Sequence, residues 1–132
     1  MADVVVVEDD ALTARLVAEV ISALGHEVLV AGSIATALDR VGNETGVVLI
    51  DVNLSGESGL DLIAALSESP ETRHVPLVAM TGSDEPETLA ALDRLGIVAM
   101  LQKPFDGAEV VLLVQAVLES GPKSKRPPCG GL

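Results

Sequence analysis

A chain of 132 residues fits one domain around one core and leaves little room for a second. Eight Lys and Arg stand against 20 Asp and Glu, a formal net charge of −12, and three of the basic residues (Lys123, Lys125 and Arg126) lie beyond residue 120. This balance argues against direct nucleic-acid binding, whose affinity comes mainly from Lys and Arg neutralising phosphates, and favours a cation or a basic partner.

The first apolar run covers 4–7, four valines that lead straight into Glu8, Asp9 and Asp10. A helical segment follows over 11–24, with Leu12, Leu16, Val20, Ala23 and Leu24 spaced as one apolar face. Gly25 stands where a helix end takes a left-handed residue, and a second strand is expected over 27–30. Ser33 is an N-cap for a helix over 34–41. Strand 47–50 then runs into Asp51, and a helix spans 60–67. Strand 76–80 ends at Thr81, Gly82 and Ser83, and Pro86 falls where the helix over 87–95 begins. Gly96 closes that helix, strand 98–101 leads to Lys103 and Pro104, and a last helix covers 109–118.

Five short apolar runs alternating with helices give a (βα)5 pattern, hence an α/β fold with a doubly wound, five-stranded parallel sheet. The almost complete lack of aromatics (1%) means that its core is built from Val, Leu, Ile, Ala and Met. Residues 1–120 form the domain, and 121–132, "GPKSKRPPCGGL", read as a flexible Pro/Gly/Lys tail. The single Cys129 permits no internal disulfide, and no stretch approaches the roughly 20 apolar residues of a membrane helix, so a cytoplasmic protein without membrane insertion is expected.

Ligands of open parallel sheets bind beyond the carboxyl ends of the strands. That rule gathers Glu8, Asp9, Asp10, Asp51, Asn53, Thr81, Gly82, Ser83, Lys103 and Pro104 on one edge. Carboxylates from neighbouring strands repel unless a positive charge lies between them. Mg²⁺ suits such a place, since it is hard, prefers oxygen and uses one or two carboxylates with waters. Asp9 and Asp51, a backbone carbonyl such as that of Asn53, and a water held by Glu8 would supply its shell. His26 and His74 fall away from this edge, and no Cys/His cluster suits zinc. Lys103, the only lysine before residue 121, offers a point charge for a phosphoryl oxygen, with the Thr81 hydroxyl beside it.

The motifs "VVVVEDD", "VVLIDVNLSGESGLDLI", "VPLVAMTGS" and "LQKPF" resemble, in order and spacing, the receiver domains of bacterial two-component response regulators, over roughly residues 2–119. The resemblance implies a flavodoxin-like sheet of order 2-1-3-4-5, a family arrangement that also illustrates the general rule for such sheets. It implies Asp51 as phosphoacceptor, Glu8 and Asp9 as the acidic pair holding Mg²⁺, Thr81 as the switch hydroxyl and Lys103 as the phosphate-binding lysine. The implied partners are a sensor histidine kinase or histidine phosphotransfer protein as donor, and a downstream protein that reads the face of the fourth helix, fifth strand and fifth helix. The domain would catalyse only its own phosphoryl transfer and dephosphorylation.

Met100 stands where many members carry Tyr or Phe, Ser55 where proline is common, and Gly82 where alanine is usual. Asn53 and Ser83, two residues beyond Asp51 and Thr81, flank the path of an attacking water and tune the phosphoryl lifetime. Three alternatives stand beside this reading. A phosphatase of the haloacid dehalogenase type needs Asp-x-Asp on the first strand, whereas here Asp51-Val52-Asn53 follows the third. A flavodoxin needs a Ser/Thr/Gly loop where Glu8, Asp9 and Asp10 stand. A degenerate receiver would bind a protein partner without phosphorylation.

Overall fold

The structure, a computed structural model, describes residues 2–122, so nearly all of the expected tail lies outside the described residues. Five strands, β1 (Asp3–Val7), β2 (Glu27–Ala31), β3 (Thr45–Asp51), β4 (Leu77–Thr81) and β5 (Ala99–Gln102), pair in parallel. Their order across the sheet is 2-1-3-4-5. Five helices, α1 (Ala11–Ala23), α2 (Ile34–Arg40), α3 (Gly59–Glu68), α4 (Pro86–Arg94) and α5 (Gly107–Ser120), connect them. This is the doubly wound parallel sheet the alternation predicts, in the flavodoxin-like order the resemblance implies.

Because side chains alternate across a strand, each buried strand serves two cores. Val5, Val7, Val48, Ile50, Leu77 and Ala79 pack with Ala37 of α2, Leu62, Ile63 and Leu66 of α3, and Leu92 of α4. Val4, Val6, Val47, Leu49, Val78 and Met80 pack with Val17 and Ile21 of α1 and Val110, Val114 and Val117 of α5. The four valines of β1 are fully buried, and each such burial contributes about 1.5–3 kcal/mol. Branched aliphatic residues thus fill both layers without aromatic bulk.

Helix ends follow from local chemistry. Ser33 caps α2 by accepting the Thr36 amide at 3.2 Å. Pro86 begins α4, and Gly25 and Gly96 take positive φ of 94° and 79° just past α1 and α4. The apolar face expected on α1 packs only in part, with Val20 against the core. The buried residues are Ala14, Val17 and Ile21, while Leu12 is 79% exposed and Leu16 is also exposed. Leu12 and Leu16 belong to an adjacent stripe, because α1 is oriented by its contacts with β2 and α5.

Between β3 and α3 the chain forms a small antiparallel ribbon, Asn53–Leu54 against Glu57–Ser58, with Ser55 and Gly56 at its tip. Gly56 has φ 73°, the positive value a tight turn demands of its second central residue. No strand was expected there, since two-residue strands carry no readable period.

Candidate functional site

All the expected site residues stand at or just beyond the carboxyl edge of the sheet. Glu8 follows β1, Asp51 is the last residue of β3, Thr81 the last of β4, and Lys103 follows β5. Glu8 is 2% exposed and Asp51 4%, while Asp9 lies on the surface. One carboxylate oxygen from each of Glu8, Asp9 and Asp51 lies within 4.8 Å of the others.

Lys103 Nζ donates to Glu8 Oε1 and to Asp51 Oδ2, both at 2.9 Å. Each carboxylate also accepts one backbone amide. Asp10 N donates to Glu8 Oε2 at 3.3 Å, Ser55 N to Asp9 Oδ2 at 2.7 Å, and Asn53 N to Asp51 Oδ1 at 2.9 Å. Three carboxylates facing one ammonium leave an excess of negative charge. With carboxylate oxygens alone making up the cluster among the described residues, the set fits a hard divalent cation such as Mg²⁺.

The electrostatics bear the mark of that crowding. Burial, and then a hydrogen bond with Asp51, push the Glu8 carboxyl up to about 7, against the opposing pull of Lys103. Burial alone would lower Lys103, but its bonds to Asp51 and Glu8 outweigh it and the ammonium is raised above its ordinary range. Ser55 holds the Asp9 carboxyl below the usual carboxylate range. Asp10 is also held low, by Thr13: its Oδ2 accepts the Thr13 amide at 2.9 Å and the Thr13 hydroxyl at 2.6 Å. The third acid of "EDD" is therefore the N-cap of α1.

Thr81 is fully buried, and its Oγ1 accepts the Ser83 amide at 3.0 Å, while Ser83 Oγ accepts the Glu85 amide at 3.1 Å. Asn53 is exposed at the start of the ribbon. The Lys103–Pro104 peptide is cis. A Cβ on Gly82 would meet the Lys103 side chain at an ordinary 3.9 Å. Met100 lies apart from the cluster, 38% exposed on β5 opposite Ala79. His26 and His74 lie away from this edge, as expected: His26 Nδ1 accepts the Ala2 amide at 3.0 Å and His74 Nε2 pairs with the Asn43 carbonyl at 2.7 Å. Gly59 is needed for closeness, because a Cβ there would collide with the Asp51 carbonyl. Asp10, placed on this edge by the sequence, serves as a helix cap rather than in the cluster, as its place just before the first helical residue allows. The close approach of Gly59 to Asp51 carried no readable signal.

The family described as "Response regulator receiver domain" matches residues 4–115. The transcriptional regulatory protein CpxR of Escherichia coli is 30% identical over 118 residues, which cover 89% of this chain and 50% of CpxR. The polar-differentiation response regulator DivK of Brucella ovis is 28% identical over 116 residues, covering 87% of this chain and 94% of DivK. The crystal structure of the receiver domain of NtrX from Brucella abortus superposes with a TM-score of 0.79 at 29% identity, covering 89% of this chain and 99% of that one. The chain thus spans about half the length of CpxR and nearly all of the other two.

Proposed function

The chain belongs to the response regulator receiver family, and from that premise we propose that Asp51 accepts a phosphoryl group from a phosphohistidine and that the acyl phosphate switches a protein-binding face. The single observation that carries this reading is the meeting of Glu8, Asp51 and Lys103 at 2.9 Å contacts. A carboxylate and a phosphoryl donor repel one another, so transfer is a problem of positioning and of charge. Asn53 N fixes Asp51 Oδ1. The ammonium of Lys103 stands beside Oδ2, ready to follow negative charge onto the phosphoryl oxygens. Glu8, Asp9, Asp51 and the Asn53 carbonyl would hold Mg²⁺, which supplies further charge neutralisation when bound.

After transfer, Thr81 would turn its hydroxyl to the phosphoryl group and release the Ser83 amide, moving the loop into α4. The face of α4, β5 and α5 suits a downstream partner, with Leu112 69% exposed and a shallow cavity of about 280 Å³ lined by Leu89, Leu92 and the 97–100 segment. The donor, a sensor histidine kinase or histidine phosphotransfer protein, would meet the apolar surface of Leu12 and Leu16 beside Lys103 and Phe105. In this reading residues 1–120 are the receiver unit, acting in the cytoplasm as a signalling element that turns over only its own phosphoryl group. No helix among the described residues is long and apolar enough to cross a membrane.

Intact mass after incubation with Mg²⁺ and acetyl phosphate tests the proposal. A gain of one phosphoryl mass, lost in Asp51→Asn and in chelator, is expected. No gain under conditions that modify a known receiver would support a binding module independent of phosphorylation.

A further inference from the structure

We propose that the outward side of α5 is a self-association surface, on which a second copy of this chain packs antiparallel with the two helices crossing at Leu112. The inference does not rest on phosphoryl transfer. It assigns the outer side of α5 to a second copy and leaves α4 and β5 to the downstream partner.

α5 buries Val110, Val114 and Val117 in the core it shares with α1. The opposite side of a surface helix is ordinarily polar or charged, and other helices of this chain obey. α1 shows Arg15 and Glu19 to solvent, and α4 shows Glu87 and Asp93. α5 departs from this pattern. Residues 110–118, "VVLLVQAVL", contain no charge, and the exposed Ala108, Leu112, Gln115 and Ala116 share one side at three- and four-residue steps. Leu112, 69% exposed, stands at the centre of that side. A helix that is apolar on both sides is suited to being covered on both.

Two features select a second copy as the cover. Leu112 is flanked four residues to either side by alanine, so the ridge of Ala108, Leu112 and Ala116 reads the same in both directions. A two-fold contact requires that kind of self-complementarity, because each copy presents the same patch to the other. The small alanines let the crossing helices approach while each Leu112 fills the space beside the other's ridge. The charges agree with this arrangement. Glu109 and Glu119 bound the stripe, and a parallel pairing would set each against its own copy. An antiparallel crossing at Leu112 instead spaces the two Glu109 by about 9 Å along the axis and the two Glu119 by about 21 Å. Ordinary salt screens much of the repulsion at such distances. A net charge of −12 on each copy still opposes association, and one helix crossing is a small contact, so the dimer is weak and tightens as salt is raised.

Sedimentation of the full chain from about 10 μM to about 1 mM is expected to show dimer at the upper end, as a small interface allows. Association should be stronger in about 0.5 M than in about 0.05 M salt. Leu112→Glu, at a position too exposed to disturb the core, is expected to stay monomeric throughout. A wild type that is monomeric over the whole range overturns the inference and leaves the stripe to a different protein. A dimer that survives Leu112→Glu, or that salt does not tighten, overturns it as well, since the contact would lie elsewhere or be ionic. Oxidative cross-linking tests the geometry. In a Cys129→Ser background, Leu112→Cys is expected to form a disulfide-linked dimer, while Asp39→Cys, exposed on α2, is not. Equal cross-linking of the two variants, or none in Leu112→Cys, would overturn the crossing at Leu112.

Discussion

The ammonium of Lys103 lies 2.9 Å from Asp51 Oδ2, across 52 residues of chain, and is the one basic group among the described residues that pairs with the buried end of the cluster. Lys103→Met leaves Glu8 and Asp51 facing each other without it. Phosphoryl uptake from acetyl phosphate should fall on the order of 100-fold, the usual cost of losing one charge-stabilising donor. The metal-free variant should also be less stable at pH 8 by about 2 kcal/mol, near the low end for breaking a buried pair because Lys103 is partly exposed. Urea unfolding with and without Mg²⁺ checks both the loss and its partial recovery by the cation.

Glu8 gives a pH dependence of definite sign. Its folded value, about 7, lies above the ordinary 4.5, so the folded, metal-free protein binds the extra proton between these values and loses that stabilisation as pH rises from about 4.5 through 7. Mg²⁺ needs the ionised carboxylate, so its affinity should move the other way, rising by up to about tenfold per pH unit below 7 and levelling off above. Calorimetry at pH 6, 7 and 8 measures the trend, and Glu8→Gln should flatten it.

Gly59→Ala should destabilise the fold and distort the site together. The new methyl would run into the Asp51 carbonyl, with Val52 Cα at 2.9 Å, and backbone atoms cannot swing aside as a side-chain end can. A loss of about 1–3 kcal/mol by urea unfolding is expected, as for other overpacked positions, with weaker Mg²⁺ binding.

Thr81→Val separates capture from signalling. The side chain is fully buried and keeps nearly its shape, but the Ser83 amide loses its acceptor, a cost of about 1 kcal/mol. Asp51 should still gain phosphate, while the backbone amide shifts that phosphorylation produces in α4 and β5 should shrink. NMR spectra of both proteins, before and after acetyl phosphate, provide the comparison.

Much of this molecule was legible in its residues because two physical periods dominate it. Buried parallel strands read as short unbroken runs such as 47–50, and the positive-φ glycines 25 and 96 punctuate the helices between them. The chemistry was legible because a parallel sheet collects its strand exits on one edge, so Glu8, Asp51, Thr81 and Lys103 could be brought together from topology alone. Orientation within an element was less accessible. The stripe of Leu12 and Leu16 has the spacing of a core face, yet Ala14, Val17 and Ile21 are the residues that pack, because contacts with α5 and β2 set the rotation of α1. Backbone donors were hidden altogether. The Ser55 amide reaches Asp9 through the tip of a two-residue ribbon, and nothing in a serine's identity announces where its N–H will point.

The ion pair that closes the cluster also ties the two halves of the chain together. Glu8 and Asp51 belong to the strands at the centre of the sheet, whereas Lys103 follows the strand at its edge. The acids and their counter-charge therefore never share a segment, and a loosening of the edge strand would uncover negative charge at the middle of the molecule.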